Sequence, residues 1–158
     1  MTDEEIIEEI KEFFCIEEFV DKATFAKYGD RCWQFLCPRL LETVLILRKG
    51  INKGMSINSW KWGGSQQQRG LRTNICDIVS KKTAAGRLYL SAHVTGKAVD
   101  ITVTGMEAEA ARNWIKENEE LFPYKIRLEH KKNGVPISWL HLDVYSNPQN
   151  PKIYFFDV

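Results

Sequence analysis

Histidine is scarce in this sequence: His93, His130 and His141 are the only three in 158 residues. No apolar run approaches the ~20 residues that a membrane-spanning helix requires, so no membrane partner is expected. The N-terminus is acidic, whereas a secretory leader opens with positive charge followed by an apolar run. Synthesis in a cytoplasm without an export signal is therefore the expectation. The four cysteines, Cys15, Cys32, Cys37 and Cys76, include no C-x-x-C pair. Zinc-ribbon chemistry needs close thiolate pairs, so free buried thiols are the expected reading. Internal repeats, low-complexity tracts and linkers are also missing. The basic residues are dispersed and match no nucleic-acid motif, so nucleic acid is not an expected partner.

What is present is ordinary for one globular domain: 44% hydrophobic and 27% charged residues, in a chain long enough to bury a core. The formal charge of +1 conceals an asymmetry, because residues 1–20 hold eight acids against the single base Lys11. The rest of the chain is mildly basic, which suits encounter with a carboxylate-rich ligand.

Thr2 and Glu5 have capping-box spacing, and Ile6, Ile7, Ile10, Phe13 and Phe14 recur at helical intervals, predicting a helix over 3–14. A short helical turn is expected over 16–21. Pro38 opens a second strong helix over 38–49, with an apolar face from Leu40 to Leu47. Strand signals follow at 55–60, 87–93 and 98–104. Thr104 and Glu107 repeat the capping-box spacing before a helix face of Ala110, Ala111, Trp114, Ile115 and Leu121. Strands are expected again at 124–130 and 137–145 around a turn at 131–134, with an edge strand in the tail 152–158. Helices first and then mostly adjacent strands indicate an α+β fold.

Two segments carry chemistry. Residues 91–100 read S-x-H-x-x-G-x-A-x-D: one strand is expected to end at His93, Gly96 permits a sharp return, and Asp100 lies on the next strand. An imidazole and a carboxylate brought together in this way are two ligands for a borderline metal such as zinc. Residues 139–143 read W-x-H-x-D, and period two puts Trp139, His141 and Asp143 on one strand face. His141 is the third candidate ligand, which leaves a fourth position open as catalytic zinc requires.

These segments resemble the zinc D-alanyl-D-alanine peptidases, whose fold is shared with the hedgehog signalling domain. The closest likeness is to the short single-domain form common in phage genomes, and extends to SINSWKWGG…QRGLR, FPYKIRLE and SWLHLDV, roughly residues 34–145. The resemblance implies a hedgehog/DD-peptidase-like α+β fold with a central, mostly antiparallel sheet, flanking helices and a zinc site. It implies one peptidase domain over 1–158, with a helical extension at 1–33 and a catalytic core at 34–158. His93, Asp100 and His141 match the zinc ligands. Arg69 or Arg72 is the candidate grip on a substrate carboxylate, and Ser91 a further substrate contact. The implied activity is hydrolysis of peptidoglycan stem peptides or cross-links by an endolysin-like enzyme, expected as a monomer and reaching the wall after release or in a phage particle.

One departure matters. Many members of that family place a catalytic Glu three residues before the last histidine, and Ser138 stands there in this chain. Glu129 is the best replacement, with His130 and Asp143 as fallback bases. Asp143 and Trp139 are also candidates for supporting the ligands from behind. An ideal Asn133-Gly134 hairpin would pair Glu129 with Ser138, off the His141 face. Pro136 favours a longer or bulged turn that restores it. Loss of the usual glutamate also leaves open a non-catalytic wall-binding domain or a structural virion component that retains zinc.

Overall fold

The structure, a computed structural model, describes residues 1–148 and 151–158. Helix α1 (Asp3–Ile10) starts at the expected reciprocal cap: Thr2 Oγ1 accepts from the Glu5 N–H at 3.2 Å and Glu5 Oε2 from the Thr2 N–H at 2.7 Å. It ends earlier than the periodicity predicts. Phe13 and Phe14 both bond back to the Ile10 carbonyl in a tight turn, which still delivers Phe14 to the core. Residues Ile16–Glu18 form the anticipated short turn. Helix α2 (Lys22–Tyr28) was not legible from apolar spacing; Asp21 caps it by accepting from the Thr24 N–H at 2.9 Å. Helix α3 (Pro38–Ile51) has proline in its first turn, buries Leu40, Leu41, Val44, Leu45 and Leu47, and stops at Asn52 in the left-handed region.

Strand β1 is only Met55–Ser56. Helix α4 (Asp77–Ala84) is a second element that periodicity did not announce. The strand expected over 87–93 does not form. Leu88 and Leu90 are exposed rather than alternating with a buried face, and Ala92–Thr95 curls into a 3-10 turn. Strand β2 (Ala98–Val103) follows, then helix α5 (Ala108–Glu117). The expected Thr104–Glu107 capping box is absent, because Gly105 at φ +68° redirects the chain and Glu107 itself becomes the uncapped N-terminal residue. Leu121 leaves the helix and is exposed. Strands β3 (Ile126–Lys132), β4 (Val135–Asp143) and β5 (Ile153–Phe156) complete the fold.

The five strands lie in the order β1-β2-β4-β3-β5, antiparallel except for the parallel β3/β5 pair. The fold is therefore α+β with a mixed sheet. Strand pleating separates two faces. Val99, Ile101 and Val103 of β2, Leu140 and Leu142 of β4, Ile126 and Leu128 of β3 and Ile153 of β5 join one core with side chains from α1 and α3. The residues between them, Asp100, His141, Asp143, Arg127 and Glu129, gather around a cleft outside that core. Among the described residues, no helix is long and apolar enough to cross a membrane.

Glu18 tests the core's polarity. It is 6% exposed, its carboxylate accepts from the Cys15 N–H at 3.2 Å, and burial pushes its pKa up to about 7. A carboxyl raised in the folded state binds its proton more tightly there than in the unfolded chain. Its contribution to stability is full below the unfolded value near ~4.3 and is lost as pH rises through the folded value. Glu18→Gln keeps the acceptor without the charge. Urea unfolding at pH 5 and pH 8 should show wild type losing up to about 3 kcal/mol more than the variant across that interval. Parallel pH profiles for the two proteins would contradict this account of Glu18.

Candidate metal centre

Asp100 and His141 are direct cross-strand partners between β2 and β4, so their side chains leave the sheet side by side. His141 Nδ1 lies 2.9 Å from Asp100 Oδ1. His93 arrives from the tight turn before β2, which Gly96 closes at φ +67°. A Cβ at Gly96 would stand 2.2 Å from the Phe35 carbonyl oxygen, so only glycine fits there. His93 Nε2 is 3.5 Å from Asp100 Oδ1, and the two imidazole centroids are 5.1 Å apart. One ligand atom from each of the three residues lies within 4.8 Å of the others, and all three residues are buried.

Hydrogen bonds behind the site decide which nitrogen of each ring faces inward. His93 Nδ1 is 2.8 Å from the Gly70 carbonyl, which can only accept, so Nδ1 carries the proton and Nε2 presents its lone pair. His141 Nε2 donates to Asp143 Oδ2 at 3.1 Å and Nδ1 to Asp100 Oδ1 at 2.9 Å, so Nδ1 is the nitrogen that faces the centre and would give up its proton to a metal. Asp143 is itself clamped by Arg127 through bonds of 2.8 and 3.0 Å, and by the Tyr145 N–H at 3.1 Å. Gly70 is held close to the chain at Phe19, where a Cβ would stand 2.1 Å from the Phe19 carbonyl oxygen. Trp139 lines the cleft rather than supporting a ring nitrogen.

Electrostatics point the same way. Burial raises the Asp100 pKa, but bonds to His141 and His93 outweigh it and hold the carboxyl well below its usual range. Burial likewise opposes charge on His141, yet Asp100 and Asp143 push its pKa up to about 9. Two carboxylates thus embrace one imidazole, with Arg127 on Asp143 and Arg72 near Asp100 offsetting part of their charge. Two imidazole nitrogens and a carboxylate oxygen are a donor set suited to a divalent first-row metal ion. The His93–Asp100–His141 group could hold such an ion.

The centre opens into a cleft of about 470 Å³. Glu129 enters it from β3, with Oε2 3.8 Å from His141 Nδ1. Arg72 is also there, bonded to Tyr89 Oη and with Nη2 3.5 Å from Asp100 Oδ2. Ser91 Oγ, on the cleft wall, is buried with no hydrogen-bond partner among the described residues. Arg69 opens instead onto an adjoining recess, where its guanidinium donates to Thr102 Oγ1 and the Ile57 carbonyl; Ser138 lines that recess too. His130 points elsewhere: it pairs with Glu109 at 3.2 Å and packs against Phe155, which removes it as an alternative base. Arg127 and Gly70 are functional neighbours that sequence reasoning missed. Arg127 was findable, because period two along β3 puts it on the Glu129 face. Gly70 acts through its backbone and leaves no side-chain signal.

Comparison with protein-family models, with curated proteins and with solved structures found no match to this chain. The reading of the centre therefore rests on its geometry.

Replacing His93, Asp100 or His141 by Ala should abolish stoichiometric binding of a divalent ion. Asp143→Asn should bind about 10–100-fold more weakly while leaving all three ligands in place. Chelator competition followed by elemental analysis measures both. Affinity unchanged in Asp143→Asn would remove its role in orienting His141.

Proposed function

We propose that the protein is a zinc-dependent peptidase acting on peptide bonds of bacterial peptidoglycan, with a hedgehog/DD-peptidase-like fold. The observation that carries the reading is the shared face of His93, Asp100, His141 and Glu129 on one open cleft. Zinc is the metal of choice because tetrahedral sites of two imidazoles and a carboxylate leave a fourth position for chemistry. The substrate class comes from the motifs around 91–100 and 139–143 and their resemblance to D-alanyl-D-alanine peptidases.

Zinc, when bound, supplies Lewis acidity to the attacking water and the scissile carbonyl. The remaining work falls to the chain's own residues. Glu129 takes a proton from the water as its oxygen attacks the carbonyl carbon, then delivers that proton to the departing amine as the C–N bond breaks. Arg72 lies in the cleft and Arg69 beside it, and a planar guanidinium suits a peptide carboxylate. Ser91 lines the cleft with a buried, unpartnered hydroxyl that a change of rotamer would present to the substrate backbone. The Asp143–Arg127 clamp keeps His141 oriented throughout.

The test is digestion of purified peptidoglycan with and without chelator, alongside Glu129→Gln. Zinc-dependent release of new amino termini or D-Ala is expected, with kcat about 10²–10⁴-fold lower in the variant at unchanged metal content. Mass spectrometry of the products names the bond. One zinc per chain without cleavage of any wall type would instead favour a non-catalytic wall-binding or virion domain.

A further inference from the structure

The β3/β4 hairpin has a defect that its turn does not require. Asn133 and Gly134 form a two-residue turn with positive φ at both positions, and Lys132–Val135 and Lys131–Pro136 pair as an ideal hairpin demands. Continued in that register, Glu129 would oppose Ser138. It opposes His141 instead. From the Lys131–Pro136 pair to the Glu129–His141 pair, β3 advances two residues while β4 advances five. The excess of three lies on β4 and is odd, so it inverts the facing of β4 beyond the break and brings His141 rather than Ser138 opposite Glu129. Burial along β4 marks the place: Ile137 and Leu140 are both buried, with Ser138 and Trp139 both outside the core between them.

One side chain is bound across this break. Arg112 of α5 is 0% exposed. Its guanidinium donates to the carbonyls of Ile137 at 3.0 Å, Trp139 at 3.2 Å and Glu129 at 3.5 Å. Glu109 Oε2 accepts from its Nε and Nη2 at 3.1 and 3.0 Å, and Glu109 Oε1 meets His130 at 3.2 Å. A buried cation needs its charge and donors satisfied, and backbone carbonyls at a ladder interruption need donors. Each requirement answers the other. The rigid guanidinium fork reaches three carbonyls and a carboxylate at once, which a single ammonium cannot do.

We infer that Arg112 is a positioning residue: it stabilises the three-residue register break in β4 and thereby keeps Glu129 opposite His141 at the metal centre. This rests on Glu129 serving as the base proposed above. Arg112 does not line the cleft, reaching only the backbone of its Glu129 and Trp139, and it does not touch the candidate metal ligands, whose own placement depends on the β2/β4 pairing.

The experiment compares wild type, Arg112→Lys, Glu129→Gln and the double variant as full-length, zinc-loaded protein. Metal content, cross-strand nuclear Overhauser contacts between Glu129 and His141, and kcat and KM on peptidoglycan peptides are read for each. Arg112→Lys should keep one zinc per chain and lose the Glu129–His141 contact. Its kcat should fall by about 10-fold or more with little change in KM, and the double variant should be no slower than Glu129→Gln alone. If Arg112→Lys does not fold, Glu109→Ala on the exposed side of α5 removes the guanidinium's carboxylate partner and should show the same pattern more weakly. A retained Glu129–His141 contact with unchanged kcat overturns the inference, as does a double variant whose losses simply multiply. Loss of the contact while Glu129→Gln stays fully active upholds Arg112 as the determinant of register, and it is the base assignment that then fails.

Discussion

The cross-strand pairing of Asp100 with His141 is the constraint on which the rest of the cleft depends. A buried carboxylate beside a buried imidazole is costly to desolvate, and the arrangement persists only because each group has further partners. Asp100 is also approached by His93 and Arg72, and its own N–H donates to the Arg69 carbonyl at 2.7 Å. His141 leans on Asp143, which leans on Arg127. Arg127 in turn stacks over Phe156 and Tyr145. The site is a chain of satisfied polar contacts, each fixing the orientation of the one before it.

Glycine serves this chain of contacts at two close approaches. Gly96 lets the turn carrying His93 press against Phe35, and Gly70 lets a carbonyl reach the back of the His93 ring. Neither contact would survive a side chain, since a Cβ in either place falls on a backbone oxygen. Precision at the centre therefore comes from backbone proximity as much as from the ligands.

The apolar half of the molecule contributes indirectly. Helices α1 and α3 pack together and share one core with the sheet, α5 lies against β4 and β2, and the alternate residues of β2, β3 and β4 are left to face the cleft. Helix α5 adds Arg112, a charge placed in the core rather than at the surface. The hairpin's register break gives that charge its partners, and the pairing of polar need with polar need explains how an irregularity in the sheet remains a single defined geometry.

Much of this was readable in advance where the signal is local. The capping box at Thr2 and the proline-initiated helix at 38 depend on neighbours a few residues apart, and composition and spacing record them, while the candidate ligands of 91–100 and 139–143 stood out through their motifs and the resemblance these carry. The short helices α2 and α4 escaped because neither carries a long apolar stripe. Residues 87–91 misled because alternation in an exposed segment looks the same as alternation in a paired one. The sequence by itself marked His93, Asp100 and His141 as candidate ligands and anticipated the β3/β4 hairpin, whereas the pairing of β2 with β4 that joins Asp100 to His141 was not legible in it. Only the tertiary structure decided that Glu129 opposes His141 rather than Ser138, which nitrogen of each histidine faces inward, and that Arg72 reaches the cleft while Arg69 stays in the recess beside it. Those depend on register and on backbone contacts between distant segments, and a period-two pattern is silent about both.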